Sequence, residues 1–311
     1  SAGKRQHARL EFTAAVTDIE LPFELFDTRA VFTDSDSCVA KDNTKILLLD
    51  FYYPNGGATV SFELKPQGEP GFTAGPVLGD PPVTGTFSSR DFKLFHSVET
   101  DNLIGGATIE RNNFTVQLEP DPVTRHLTGT YVVKMHASAP VTVHVWCFQH
   151  SRKQGLRVGP DPLPAGVTQE DKFLIGNPGS ASNVITVAAY NPNAPLDVAS
   201  FSSRGPLARH GVGGAAPAKP EIGAPGVGIQ AARSSQSTIL PATETTSMQG
   251  TSMAAPHVAG TVALLFQKSA TLTPSQAVSK LQANALKVPA PVGDEIGGGR
   301  LDAKKTFDNT P

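Results

Sequence analysis

The residues of this chain best placed to do chemistry lie in Gly250-Thr251-Ser252-Met253-Ala254-Ala255-Pro256-His257-Val258-Ala259-Gly260. A turn of small residues delivers a serine, and an apolar run long enough for a buried helix follows. At a helix start the free N–H groups and the positive end of the dipole converge. A hydroxyl there lies beside a ready anion site, the arrangement that nucleophilic acyl transfer uses. The plainer reading is a serine N-cap on a core helix, because serine is a preferred cap. Gly250 permits a sharp turn, and Ala254 and Ala255 leave room for a substrate chain or a neighbouring strand. Pro256 has no N–H and is tolerated in a first helical turn, which puts the helix start near Ser252. Ala254 stands where the Gly-x-Ser-x-Gly elbow requires glycine, so that pattern fails.

A serine nucleophile needs a base and an orienting acid. His257 is five residues on, about 140° round the helix from Ser252, and so faces elsewhere. His7, His96, His126, His136, His144 and His150 fall in the first half of the chain, and His210 in a loop.

The elements that must carry this stretch differ between the two halves. From Arg9 to Gln149 the pattern is strand after strand. Ala58–Leu64 alternates cleanly, with Val60, Phe62 and Leu64 on one face. An Asn55-Gly56-Gly57 turn predicts a hairpin joining it to Ile46–Tyr53. Phe114–Leu118 follows an Asn112-Asn113 turn, and Tyr131–Val133 and Val141–Trp146 are parted by Ala139-Pro140. Short strands at this spacing predict an antiparallel β-sandwich of jelly-roll type. Val158–Gly179 is rich in proline and glycine and reads as a boundary. Beyond it, Asn183–Ala189 suits a buried parallel strand. Thr273-Pro274-Ser275-Gln276 opens a helix with a capping box, striped by Ala277, Val278, Leu281 and Leu286. The second half is thus α/β, with too few strands for a whole sheet.

Composition sets limits. With 39% hydrophobic and 17% charged residues the 311-residue chain is globular in type. A formal charge of -2 gives no reason to expect nucleic acid or an anionic membrane as partner. No apolar run approaches the roughly 20 residues of a membrane span. Cys38 and Cys147 could form one disulfide or be two buried thiols, and show no metal-ligand spacing. Asn113-Phe114-Thr115 has the pattern of a glycosylation sequon.

The Gly250–Gly260 run resembles the nucleophile motif of the subtilisin-like serine peptidases. Asn183–Val187, Phe201-Ser202-Ser203-Arg204-Gly205-Pro206 and Lys219–Gly226 match the family in the same order. Gly299-Arg300-Leu301-Asp302-Ala303 resembles its usual last element. Ser1-Ala2-Gly3-Lys4 resembles the oxyanion segment Ser/Ala-Ala-Gly-Asn, with Lys4 where the family has asparagine. The resemblance implies Ser252 as nucleophile, Lys4 at the oxyanion position, Gly250 and Thr251 in substrate binding, and a structural His257. No histidine sits in the family's His-Gly-Thr context. Asp34 and Asp36 lack the Ser/Thr-Gly that follows the family's acid, so acid and base are expected upstream of Ser1.

On this alignment residues 1–5 are a remnant of the oxyanion segment and 6–165 an inserted β-sandwich. Residues 166–311 are then the carboxy-terminal part of the catalytic domain. The expected activity is serine endopeptidase on protein or peptide substrates, dependent on the amino-terminal half and absent from this chain alone. No cofactor or metal is expected beyond the calcium that the family often binds, and the family is commonly secreted. The rival expectation is an inert homologue acting as a binding module through its β-sandwich.

Overall fold

Leu47, Leu49, Phe51 and Tyr53 are buried while the residues between them are half-buried, the period-two signature of a strand with one face on a core. The same alternation recurs along the first 170 positions. In the computed structural model it yields β1 (His7–Phe12), β2 (Asp18–Asp27), β3 (Leu47–Pro54), β4 (Val60–Pro66), β5 (Thr73–Ala74) and β6 (Val83–Phe87). Next come β7 (Arg90–Asn102), β8 (Thr108–Leu118), β9 (Gly129–Ala137), β10 (Val141–Gln149), β11 (Gln154–Val158) and β12 (Val167–Gln169). The structure describes residues 7–27, 47–87, 90–102, 108–119, 129–149, 154–159, 161–176, 178–181, 184–207, 218–233, 244–288 and 295–311. They fall into two units that divide between Asp171 and Lys172.

The first unit is a sandwich. One sheet runs β12-β1-β10-β3-β8-β7-β6 and the other β11-β2-β9-β4-β5. Strands β1 to β4 and β8 to β12 alternate between the sheets, so β1-β10-β3-β8 matches β2-β9-β4-β5 in jelly-roll fashion. Aromatic rings join the two inner faces. Phe62 of β4 stacks on Phe114 of β8 with centroids 4.0 Å apart, and Phe23 of β2 meets Phe51 of β3 edge-on at 5.9 Å. Each fully buried phenylalanine contributes about 1.5–3 kcal/mol.

Three expectations need correcting here. The Asn55-Gly56-Gly57 segment does turn, with φ of 94° and 93° at the glycines, but β3 and β4 lie in different sheets and make no hairpin. Its flank is tied instead to the corner between β9 and β10: Thr59 N–H donates to Ser138 Oγ (2.9 Å) and Ser138 N–H to Thr59 O (3.0 Å). Asn112 and Asn113 are not a turn; both are buried inside β8, where their amides donate to Pro54 O and Phe51 O. Asn113 is therefore closed to a glycan in the folded state. Third, β12 pairs with β1, so the sandwich runs past the expected boundary at Ala165. Cys147 is a buried free thiol whose pKa burial pushes far up, and Cys38 lies outside the described residues.

The second unit contains β13 (Val187–Asn191), β14 (Ala194–Val198), β15 (Ile222–Pro225), β16 (Ile229–Ala232) and β17 (Thr245–Met248). Its helices are α1 (Thr251–Lys268), α2 (Pro274–Asn284) and α3 (Ala303–Asp308). β13 runs parallel to β15 and antiparallel to β14. The strand expected from Asn183 begins only at Val187, because Thr186 N–H donates to the Glu221 carboxylate (2.7 Å) and not to a ladder. α2 has the expected capping box between Thr273 and Gln276. Leu286 lies beyond its end, 43% exposed and bridged to Arg300, and is no part of its stripe. Ala189, Ile222, Ala224, Ala254, Val258 and Leu281 form the core. Among the described residues no helix is long and apolar enough to cross a membrane.

Candidate active site

Small residues set the turn before α1. Gly226 N–H donates to Tyr190 O (3.0 Å), and Gly250 N–H donates to Gly226 O (2.8 Å). The ends of β13 and β15 are thereby pinned to the start of α1. Gly226 must be glycine, since a Cβ there would stand 2.5 Å from Ala189 Cβ and 2.9 Å from Gly250 O. Gly250 adopts φ 153° as N-cap, and its carbonyl accepts from Met253 and Ala254 N–H. Both of its peptide groups are thus engaged, and what it provides is the turn and the lack of a side chain.

Ser252 is the second residue of α1 and is exposed. It is not the N-cap, and no side chain caps the helix. Its hydroxyl makes no hydrogen bond among the described residues. At this position its N–H is one of the first-turn donors that have no intrahelical acceptor. Pro256 lies inside α1 and not in its first turn, so the Ser252 carbonyl also lacks an i+4 donor. The start of α1 therefore presents a hydroxyl, an N–H and the positive end of an 18-residue helix dipole together.

One stripe of α1 fixes this geometry. Ala254, Val258, Thr261 and Leu265 are buried, and lie about 180–240° round from Ser252 at 100° per residue. Ala259 and Ala263 fall within about 20° of Ser252 and are exposed, as are Ala255, Pro256 and Gly260. A helix apolar on all sides is normally buried on all sides. Here only the side away from Ser252 is covered. His257 is occupied elsewhere: its Nδ1 donates to Met253 O (2.9 Å), one turn back on its own helix. Lys4 lies outside the described residues, as do His126, His150, His210, Asp34 and Asp36.

A cavity of about 510 Å³ adjoins the turn at Gln249 and is lined by Val198, Phe201, Arg204, Val227 and Glu295. Arg204 Nε stands 3.3 Å from Glu295 Oε1, so an ion pair borders a wall that mixes Val198, Phe201 and Val227 with Asn191, Ser200 and Gln249. Phe201 and Arg204 belong to a motif legible in the sequence. Glu295 carries no such local signal and enters only through its partner.

The model of the subtilase family, peptidase S8, matches residues 161–306. Serine protease AprX of Bacillus subtilis (strain 168) is 36% identical over 156 residues, covering 46% of this chain and 34% of that protein. Subtilisin DY of Bacillus licheniformis is 38% identical over 111 residues, covering 36% of this chain and 33% of that protein. The chain thus spans about a third of the length of these curated relatives. The structure of the Clostridium perfringens CspB protease covers 98% of this chain and 56% of its own at a TM-score of 0.64 and 19% identity, which shows a shared fold. The likeness to the subtilase family, peptidase S8, thus lies in residues 161–306.

Proposed function

We propose that the protein carrying this chain is a serine-type endopeptidase with Ser252 as its nucleophile. The observation that carries the reading is the exposed Ser252 at the N-terminus of α1, with neither hydroxyl nor N–H engaged among the described residues. Ser252 Oγ attacks the scissile carbonyl while a histidine from outside these 311 residues takes the hydroxyl proton and an aspartate orients that histidine. The carbonyl oxygen, now an oxyanion, accepts from the Ser252 N–H and from the side chain of Lys4. Collapse expels the amine, which takes the proton from the histidine, and water then hydrolyses the ester on Ser252. Gly250 and Thr251 shape the turn against which the substrate lies. The cavity beside Gln249 offers room for a substrate side chain.

The exposed side of α1 supports the dependence on a further segment. Ala255, Ala259, Gly260 and Ala263 are small and apolar, and they surround the direction in which Ser252 points. We assign that face to the amino-terminal half of the catalytic domain, which would bring the acid and base with it. The β-sandwich is then an insertion between the oxyanion segment and β13.

A fluorophosphonate probe tests this reading. It is expected to label Ser252 when the amino-terminal half is supplied, to label this chain alone only weakly, and to fail on Ser252→Ala. No labelling of the complete, folded protein would overturn the peptidase reading and favour a binding module.

A further inference from the structure

The seven-stranded sheet brings together two histidines and a carboxylate that are far apart in sequence. Across β1 and β10, His7 pairs with Trp146 and Arg9 with His144, which makes His7 and His144 diagonal neighbours on one face. Glu170 follows β12, and its N–H donates to His7 O (3.2 Å). His7 Nε2 lies 2.9 Å from His144 Nδ1, and His7 Nδ1 lies 3.9 Å from Glu170 Oε2. One ligand atom from each of the three can be chosen with all of them within 4.8 Å of one another. His7 is fully buried and the other two are half-buried. The Trp146 ring lies 4.7 Å from that of His7 and 5.7 Å from that of His144, shielding the group on one side.

We propose that His7, His144 and Glu170 bind one divalent transition-metal ion of the zinc type, with water as fourth ligand. Two imidazoles and a carboxylate suit zinc, whereas calcium takes six to eight oxygens. The second carboxylate oxygen is already held, since Arg9 Nε stands 3.1 Å from Glu170 Oε1. That contact orients Oε2 toward His7, as outer partners of metal ligands do.

The His7–His144 geometry defines what binding must change. The rings are parallel within 2° with centroids 5.1 Å apart, so the two nitrogens face each other nearly in line and share one proton. Two nitrogens on a tetrahedral zinc at about 2.0–2.1 Å stand about 3.3 Å apart. Zinc at His7 Nε2 and His144 Nδ1 therefore moves that proton to the other nitrogen of the ring that carried it, opens the contact by about 0.4 Å, turns the rings off their common line and draws Glu170 Oε2 across from the Nδ1 side of His7. The ion would tie β1, β10 and the end of β12 together at one edge of the sandwich, independently of the reaction at Ser252.

The test is calorimetric titration of the chelator-treated full chain with zinc chloride, with cobalt(II) in parallel to read coordination from its visible absorption. One equivalent of zinc is expected, with a tetrahedral cobalt spectrum. Glu170→Gln and His144→Ala should each weaken binding about tenfold or more. His136→Ala, which removes an exposed histidine on the other sheet, should leave binding unchanged. If His144→Ala does not fold, Glu170→Gln at a half-buried position provides the comparison. Failure of the folded wild-type chain to bind one equivalent, or unchanged binding in the variants that fold, would overturn the assignment.

Discussion

Replacing Lys219 with methionine should unfold the second unit at markedly lower denaturant. The Lys219 side chain is 3% exposed and that of its partner Glu221 is 14% exposed. The ammonium also donates to Val184 O (2.8 Å), and the carboxylate accepts from Thr186 N–H (2.7 Å). Main-chain Glu221 O accepts from Gly298 N–H and from Gln282 Nε2 on α2. One ion pair thus holds the segment entering β13 against β15, whose end positions Gly250. Methionine matches the length of the stem but leaves a buried carboxylate without its cation, a loss of about 3–5 kcal/mol. With a urea slope of about 2 kcal/mol per molar, the midpoint falls by roughly 1.5–2.5 M. Among the described residues all three helices lie in this unit, so far-ultraviolet circular dichroism follows its unfolding. Adding Glu221→Gln to Lys219→Met removes the stranded charge and keeps an acceptor for Thr186. The double variant should therefore recover about 2 kcal/mol of the loss. A loss below about 1 kcal/mol for Lys219→Met, or strictly additive losses in the pair, would refute the argument.

Three more outcomes are expected. Gly226→Ala forces a Cβ to 2.5 Å from Ala189 Cβ, so it should cost about 1–3 kcal/mol by circular dichroism and lower probe labelling of Ser252 in the complete protein. Burial holds the His96 pKa below its usual 6.5, so its contribution is fully present above pH 6.5 and is lost as pH falls from there toward the lowered folded value. Urea midpoints followed by fluorescence of the single Trp146 should decline over that window, and His96→Gln, which cannot take up the proton, should decline less steeply. Ala259→Glu puts a charge on the exposed face shared with Ser252; it should leave the midpoint of this chain unchanged and abolish labelling of the complete protein, and full labelling would disprove that this face is covered.

Strands were legible wherever one face alone is buried, because the period-two pattern is local. Their partners were not. Asn55-Gly56-Gly57 has the composition of a hairpin turn, yet the hydrogen bonds that fix its corner come from Ser138, 79 positions from Thr59. Asn112 and Asn113 have turn chemistry by type, but carbonyls 58 and 62 positions away satisfy their amides and keep them inside a strand. A polar residue thus reads as a loop until its tertiary partner is known. The capping box of α2 was legible for the opposite reason, since Thr273 and Gln276 satisfy each other without outside help.

The nucleophile stretch divides along the same line. Gly250, Ser252 and the small residues after it form a local device, and the family motif marks it from sequence alone. The plainer alternative, a serine cap, does not hold because Gly250 is the N-cap, and its turn depends on Gly226, a residue brought to it by the β13–β15 pairing and not by proximity in the chain. Pro256 explains why the small exposed face matters. By leaving the Ser252 carbonyl without an i+4 donor, it removes one rung of the ladder near the start of α1. Among the described residues, contacts outside that ladder come from the buried Ala254 and Val258 and from the Gly250 N–H bond to Gly226 O. A serine hydroxyl is a weak nucleophile until a base is positioned against it. On the proposed reading, the segment that covers Ala255, Ala259 and Ala263 also brings that base. Completing the core around α1 and activating Ser252 are then a single event.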